Sequence, residues 1–108
     1  MTISLPLPHL QYNHHLPFPA QDVIRLDGKR NYTIFSLTDG TQFTSSRTLG
    51  FYENAFPKSF LRLHKSCMIN LSFLESLNET ERTAQLTNGT VVVIARRRWP
   101  FIKDYFSG

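Results

Sequence analysis

Charge is missing where the chain begins: residues 1 to 21 carry no formally charged side chain, so all twenty charges fall in the remaining 87 residues. Cysteine is nearly missing as well. The one thiol, Cys67, cannot form an internal disulfide, and a lone thiol fits a reducing interior. No apolar run approaches the roughly 20 residues of a membrane span. The start, MTISLPLPHLQYNHHLPFP, has no basic leader, and proline breaks its apolar stretch, so it does not read as a secretory signal. Together these absences predict a soluble, cytoplasmic protein with no membrane partner. The Asn-x-Ser/Thr matches at Asn31, Asn70, Asn78 and Asn88 are then chance. Length excludes more, because 108 residues hold one domain and leave no room for a sensing domain beside an effector domain of normal size. There is no internal repeat, and no helical segment is long enough to be a recognition helix.

What is present is basic. Twelve Lys and Arg against eight Asp and Glu give a net charge of +4 and a pI near 9.6, a balance that favours a polyanionic partner such as nucleic acid. Four of the six prolines (Pro6, Pro8, Pro17, Pro19) stand in the first 20 residues and oppose both helix and central strand. Residues 1–20 are therefore expected to be an arm, extended along the domain or loose in solvent, with the domain proper at 21–108.

From Asp22 the pattern is β. VIRL (23–26) predicts a strand, DGKRN (27–31) a turn with Gly28 available for positive φ, and YTIFSL the next strand. Asp39-Gly40 and Asn88-Gly89 predict hairpins with two-residue type I′ turns, joining YTIFSL to TQFTSS and TAQL to TVVVIA. In RTLGFYENAF (47–56), Leu49, Tyr52 and Phe56 have helical spacing, but Gly50 and Pro57 limit the helix to about two turns. FLRLHK alternates as a half-buried strand, with FLESLN expected as its partner. RWPFIKDYF predicts one or two closing helical turns starting near Pro100. The fold class is mainly β, with a short helix inside the chain and a short helical turn at its end.

The stretch FLRLHKSCMINL (60–71) concentrates reactive side chains. His64 and Cys67 could be base and nucleophile, but in a strand their spacing sends them to opposite faces, and no orienting acid is near. Zinc could draw on both together with His14 and His15, yet one ligand pair would then sit on the proline-rich arm instead of on an ordered turn. We therefore expect no catalysis, metal or cofactor, and read His64 as a partly buried imidazole that fixes the end of its strand. The basic residues form a third constellation: Lys29, Arg30 and Asn31 in the first turn, Lys65 and Ser66 after the strand, and Arg96, Arg97 and Arg98 after VVVIA. Each group stands at a strand end, where side chains reach outward. Arginine can bind guanine bidentately, asparagine adenine, and lysine a phosphate or base.

FLRLHKSCMINLSFLESL, then LTNG, then VVVIARRR, resembles the LytTR family of bacterial DNA-binding domains, which serve as response-regulator output domains; the likeness runs from Asp22 to Phe106. It implies an elongated arrangement of antiparallel sheets with a short helix between them. It also implies transcription regulation by binding double-stranded DNA at promoter direct repeats, with two copies together on the DNA. By position, base reading falls to Asn31 in the first loop and Arg97 in the last, with Arg96 as the adjacent candidate and Lys65 between them; His64 and Asn70 are structural. Ala95 stands where the family usually has serine, and Cys67 and Met68 replace a commoner aromatic and aliphatic pair. With about 20 proline-rich residues before the domain, phosphorelay control within this chain is not expected. Two other classes remain, a single-stranded nucleic-acid-binding β-barrel, given 13% aromatic residues, and a protein-interaction module.

Overall fold

Antiparallel strands carry the chain from Val23 onward in the computed structural model, which describes residues 16–107. Arg30 and Asn31 join β1 (Val23–Lys29) to β2 (Tyr32–Leu37), and β3 (Gln42–Ser45) returns alongside β2. Next come α1 (Leu49–Ala55), β4 (Phe60–His64) and β5 (Cys67–Asn70). A meander of β6 (Leu74–Asn78), β7 (Thr83–Leu86) and β8 (Val91–Val93) follows, and a 3₁₀ turn, Arg96–Arg98, runs directly into α2 (Trp99–Ser107). The strands form one sheet in the order β3-β2-β1-β5-β4 and a second in the order β6-β7-β8.

Side chains alternate across the larger sheet and so divide the core in two. On one face Val23, Leu26, Phe35 and Met68 meet Leu49, Tyr52 and Phe56 around α1. On the other, Leu63, Cys67 and Ile69 meet Ala84, Leu86 and Val92 of the smaller sheet, Ile94 just after it and Ile102 of α2. β5 is thus covered on both sides. The radius of gyration is 14.2 Å, above the roughly 13 Å of a compact 100-residue domain, so the mainly β fold is elongated as expected. α1 has the two turns its sequence allows. Thr48 caps it, its hydroxyl accepting from the Phe51 amide at 3.3 Å, and Pro57 stands just past Phe56, where it ends.

Several local expectations are corrected. β1 runs on to Lys29, so the first turn is only Arg30 and Asn31, and the positive φ (53°) belongs to Arg30. Gly28 is needed for space instead: a Cβ there would come 3.1 Å from the Leu49 Cβ, where α1 crosses the sheet. The Asp39-Gly40 and Asn88-Gly89 hairpins exist, but only the glycines have positive φ (89° and 90°), whereas type I′ needs it at both residues. Each loop has three residues: Gly40 N donates to Leu37 O and Leu37 N to Thr41 O, and Gly89, Leu86 and Thr90 repeat this pattern. Asp39 and Asn88 favour this form because their side chains accept from the amide and hydroxyl of Thr41 and Thr90.

FLRLHK does not pair with FLESLN. β4 turns at once into β5, and β6 pairs with β7. The reason is burial, because all four residues of Cys67–Asn70 are covered and a strand hidden on both faces loses the alternation by which strands are recognised. TVVVIA forms a strand only over Val91–Val93, after which Ala95 N donates to Leu63 O at 2.8 Å and the chain crosses to the edge of the larger sheet. The closing helix is longer than a turn, with nine residues from Trp99.

The arm is described only from Leu16; residues 1–15 lie outside the described residues. Leu16, Phe18 and Ala20 pack on the α1-side core, with the Phe18 ring edge-on to Phe35 at 5.5 Å and to Phe43 at 5.3 Å. Half-burial of one such ring predicts that Phe18→Ala costs about 2 kcal/mol of stability, measurable by urea denaturation. A change within error would mean that the ring rests on the sheet without stabilising it.

Candidate nucleic-acid interface

Strand order decides where the basic residues go. β1 is antiparallel to both β2 and β5, and β4 is antiparallel to β5, so the turn from β1 to β2 and the turn from β4 to β5 must emerge at the same end of the sheet. A direct bond joins them: Gly28 N donates to Ser66 O at 2.9 Å. The chain leaving β8 arrives there as well, since the Ala95 amide bonds to Leu63, two residues before Lys65. Lys29, Arg30, Asn31, Lys65, Arg96 and Arg97 are all exposed at this end.

The Lys65-Ser66 turn is held from behind. Arg62 donates from Nε to His64 O at 3.2 Å and from Nη2 to Lys65 O, while its Nη1 pairs with Glu53 of α1 at 2.6 Å. The Ser66 amide donates to His64 Nδ1 at 3.0 Å, which requires that nitrogen to be unprotonated. Burial is the main cause holding the His64 imidazole below its ordinary pKa; Asp27 is the next influence and pulls upward, and Arg25, Arg62 and Lys65 each act with burial. His64 is therefore a structural residue, as expected. So is Asn70, which donates to Val23 O and accepts from Ser72 N, both at 3.0 Å. Arg62 was not among the expected site residues; its place two residues before His64, on the polar side of an alternating strand, was the available signal.

The three arginines part company. Residues in a 3₁₀ turn point about 120° apart, whereas an extended segment would alternate them. Arg96 and Arg97 face solvent. Arg98 turns back to Glu53 at 3.6 Å and to Arg62 O at 3.5 Å, so it joins the support of the Lys65 turn. Ser66 is half-buried, with its amide and carbonyl both engaged.

His64 and Cys67 do not lie on opposite faces. A turn intervenes, and they are cross-strand partners. The pair is still unsuited to nucleophilic catalysis, because burial pushes the Cys67 thiol up to about 12, with Arg25 offsetting only part of this, and the thiolate is the reactive form. Among the described residues no group of three or more His, Cys, Asp or Glu could hold a metal ion, and His14 and His15 lie outside them. No helix among the described residues is long and apolar enough to cross a membrane.

A two-sheet antiparallel domain that gathers exposed cations, without ion pairs among the described residues, on hydrogen-bonded turns at one end has the chemistry of a polyanion-binding module. Residues 14–107 match the model of the LytTr DNA-binding domain, and the chain belongs to that family. It is a family of DNA-binding domains, in keeping with a role other than catalysis. A solved LytTr DNA-binding domain from Bacillus cereus is similar in fold, with a TM-score of 0.74 at 23% identity over 86% of this chain and 88% of that one. No curated protein sequence matches the chain.

A folded-state pKa for His64 below the ordinary ~6.5 means that the unfolded chain binds its proton first as pH falls. Stability should therefore be intact above about pH 6.5 and decline as pH drops from there through the lower folded value. Urea midpoints measured between pH 7.5 and 5 should fall for the wild type and fall less for His64→Gln. Parallel profiles would remove His64 as the cause.

Proposed function

We propose that this domain binds double-stranded DNA and distinguishes its sequence, acting as a bacterial transcription regulator in the cytoplasm. The observation that carries the reading is the meeting of three separate basic segments at one end of one sheet, tied by the Gly28–Ser66 and Ala95–Leu63 bonds. Asn31 and Arg97 are assigned to base edges in major grooves and Lys65 to the narrower groove between them. Lys29, Arg30 and Arg96 supply backbone contacts, with Ser66 fixing the turn beside them. Two copies on promoter direct repeats complete the reading.

The family supports DNA as the partner, and the geometry supports turns as the readers, since α1 is engaged in the core. A single-stranded partner is favoured by one feature, Tyr32, which is 42% exposed beside the Arg30-Asn31 turn and could stack on a base. Against it, Phe35, Tyr52, Phe56 and Phe60 are buried, and two open sheets do not make a barrel.

Titration with duplex and single-stranded DNA over a salt series separates the readings. With ~4 to 6 phosphates neutralised, log K for duplex should fall against log salt with a slope of about −4 to −5. A flat response, or a preference for single strands, would remove the duplex reading. Selection from randomised duplexes then tests the assignment: Arg97→Ala and Asn31→Ala should each cost roughly 1 to 3 kcal/mol on the preferred site and relax choice at a different base pair. Arg30→Ala should weaken all sequences alike. If Arg96→Ala loses the preference and Arg97→Ala keeps it, the reading residue is Arg96.

A further inference from the structure

Arg47 belongs to none of the three basic segments, yet the fold brings it to the same end of the sheet. Thr33, two residues beyond Asn31, pairs with Ser45 across β2 and β3, so the chain leaving β3 passes the first turn on its way to α1. Its path there is fixed. The buried Thr33 hydroxyl donates to the Arg47 carbonyl at 2.9 Å, the Arg47 amide donates to Ser45 Oγ at 3.2 Å, and Ser45 Oγ is bonded to the Tyr52 hydroxyl. Thr33 is fully covered, and leaving its hydroxyl without that carbonyl would be costly.

The side chain is constrained as well. Its guanidinium carbon stands 4.4 Å from the centroid of the Phe51 ring, and this stack gives a purpose to an aromatic ring that is 37% exposed. Arg25, Arg62 and Arg98 each face a carboxylate. Arg47 has no ion pair among the described residues. With the ring beside it and no side-chain hydrogen bond or ion pair among the described residues, the guanidinium keeps its N–H donors free, a planar fork without a counter-charge that suits two phosphate oxygens.

At about 4.8 Å per strand, the row from β3 to β4 spans roughly 19 Å. Arg47 extends the cationic row at the β3 edge, and Arg96 and Arg97 extend it at the β4 edge. We propose that Arg47, stacked on Phe51, grips a phosphate of the bound nucleic acid beyond the edge of the groove entered by the Arg30-Asn31 turn. The proposal rests on the DNA-binding reading above and adds a contact to it that carries no sequence information.

The test is the salt dependence of binding for wild type, Arg47→Ala, Arg47→Lys, Phe51→Leu and Lys58→Ala, on a selected and an unrelated duplex. Lys58 is exposed just before β4, at the opposite end of the sheet, and serves as a charge control. Arg47→Ala should weaken both duplexes alike, about five- to tenfold near 0.1 M salt, and reduce the slope by about 0.9. Arg47→Lys should keep the slope with intermediate affinity, Phe51→Leu should weaken binding at constant charge, and Lys58→Ala should change neither. The bonds that fix the chain use the amide and carbonyl of Arg47, so melting temperatures should hold in Arg47→Ala. An unchanged slope in Arg47→Ala, or an equal loss in Lys58→Ala, overturns the phosphate grip while leaving duplex binding intact. Wild-type protein that fails to bind duplex overturns the proposed function itself.

Discussion

Cys67–Asn70 has no solvent face, and most of the architecture follows from keeping it dry. Met68 needs a cover on one side, which α1 and its neighbours provide, and Cys67 and Ile69 need one on the other, which the smaller sheet and α2 provide. Its backbone groups must also be paired in the plane of the sheet, because an unpaired buried amide costs as much as a lost hydrogen bond. β1 and β4 supply those partners. Once both flank β5 in antiparallel sense, the turns at Arg30-Asn31 and Lys65-Ser66 have no choice of end. At the other end of β5 the one polar side chain of the strand, Asn70, is satisfied by Val23 and Ser72. The site is therefore a consequence of core burial, and the chemistry is added by what the turns carry.

Charge is distributed in the same spirit. Arg25 forks onto Asp27 at 2.7 and 3.0 Å, Arg62 and Arg98 share Glu53, and Lys103 meets Glu79 at 3.1 Å. The exposed Lys103–Glu79 pair contributes only about 0 to 1 kcal/mol, and the larger effect of these pairs is on the field. They neutralise cations behind and beside the site and leave those at its tip uncompensated. At physiological ionic strength screening acts over about 8 Å, less than half the roughly 19 Å row, so cations at its two ends act nearly independently. A salt slope then counts contacts.

How much of this was legible in the sequence depends on what each residue answers to. Hairpins at Asp39-Gly40 and Asn88-Gly89, the two-turn helix within residues 47–56 and the structural role of His64 follow from local chemistry and were readable; that of Asn70 came from the family resemblance. Turn type was not, because a glycine in the left-handed region serves both a type I′ turn and the three-residue loop, and the neighbouring Asp39 or Asn88 side chain decides between them. The partner of β4 was not, because CMIN is buried on both faces and lacks a strand's alternating period. Arg98 was grouped with its neighbours on adjacency alone; only the 3₁₀ turn separates it from Arg96 and Arg97. Arg47 gave no signal as a lone arginine before a helix cap. Its significance comes from the β2–β3 register and from Phe51 one helical turn later.

The proposed reading of DNA by turns, without a recognition helix, demands that the turns be stiff before they bind. A flexible loop loses about 0.5 to 1.5 kcal/mol for each long side chain it must order, and more for its backbone. Here the backbone share is already met. Arg62 ties down two carbonyls of the Lys65 turn, His64 its amide, and Gly28 binds that turn to the first. The first turn goes further, since Arg30 sits at φ 53°, where glycine would be comfortable and an ordinary residue bears about 1 kcal/mol of strain. A glycine there would relax the turn and lose a cation next to Asn31. Keeping arginine means that the strain is balanced by the six-residue ladder of β1 and β2, whose register leaves room for only two residues between Lys29 and Tyr32 and so fixes the direction in which Asn31 projects.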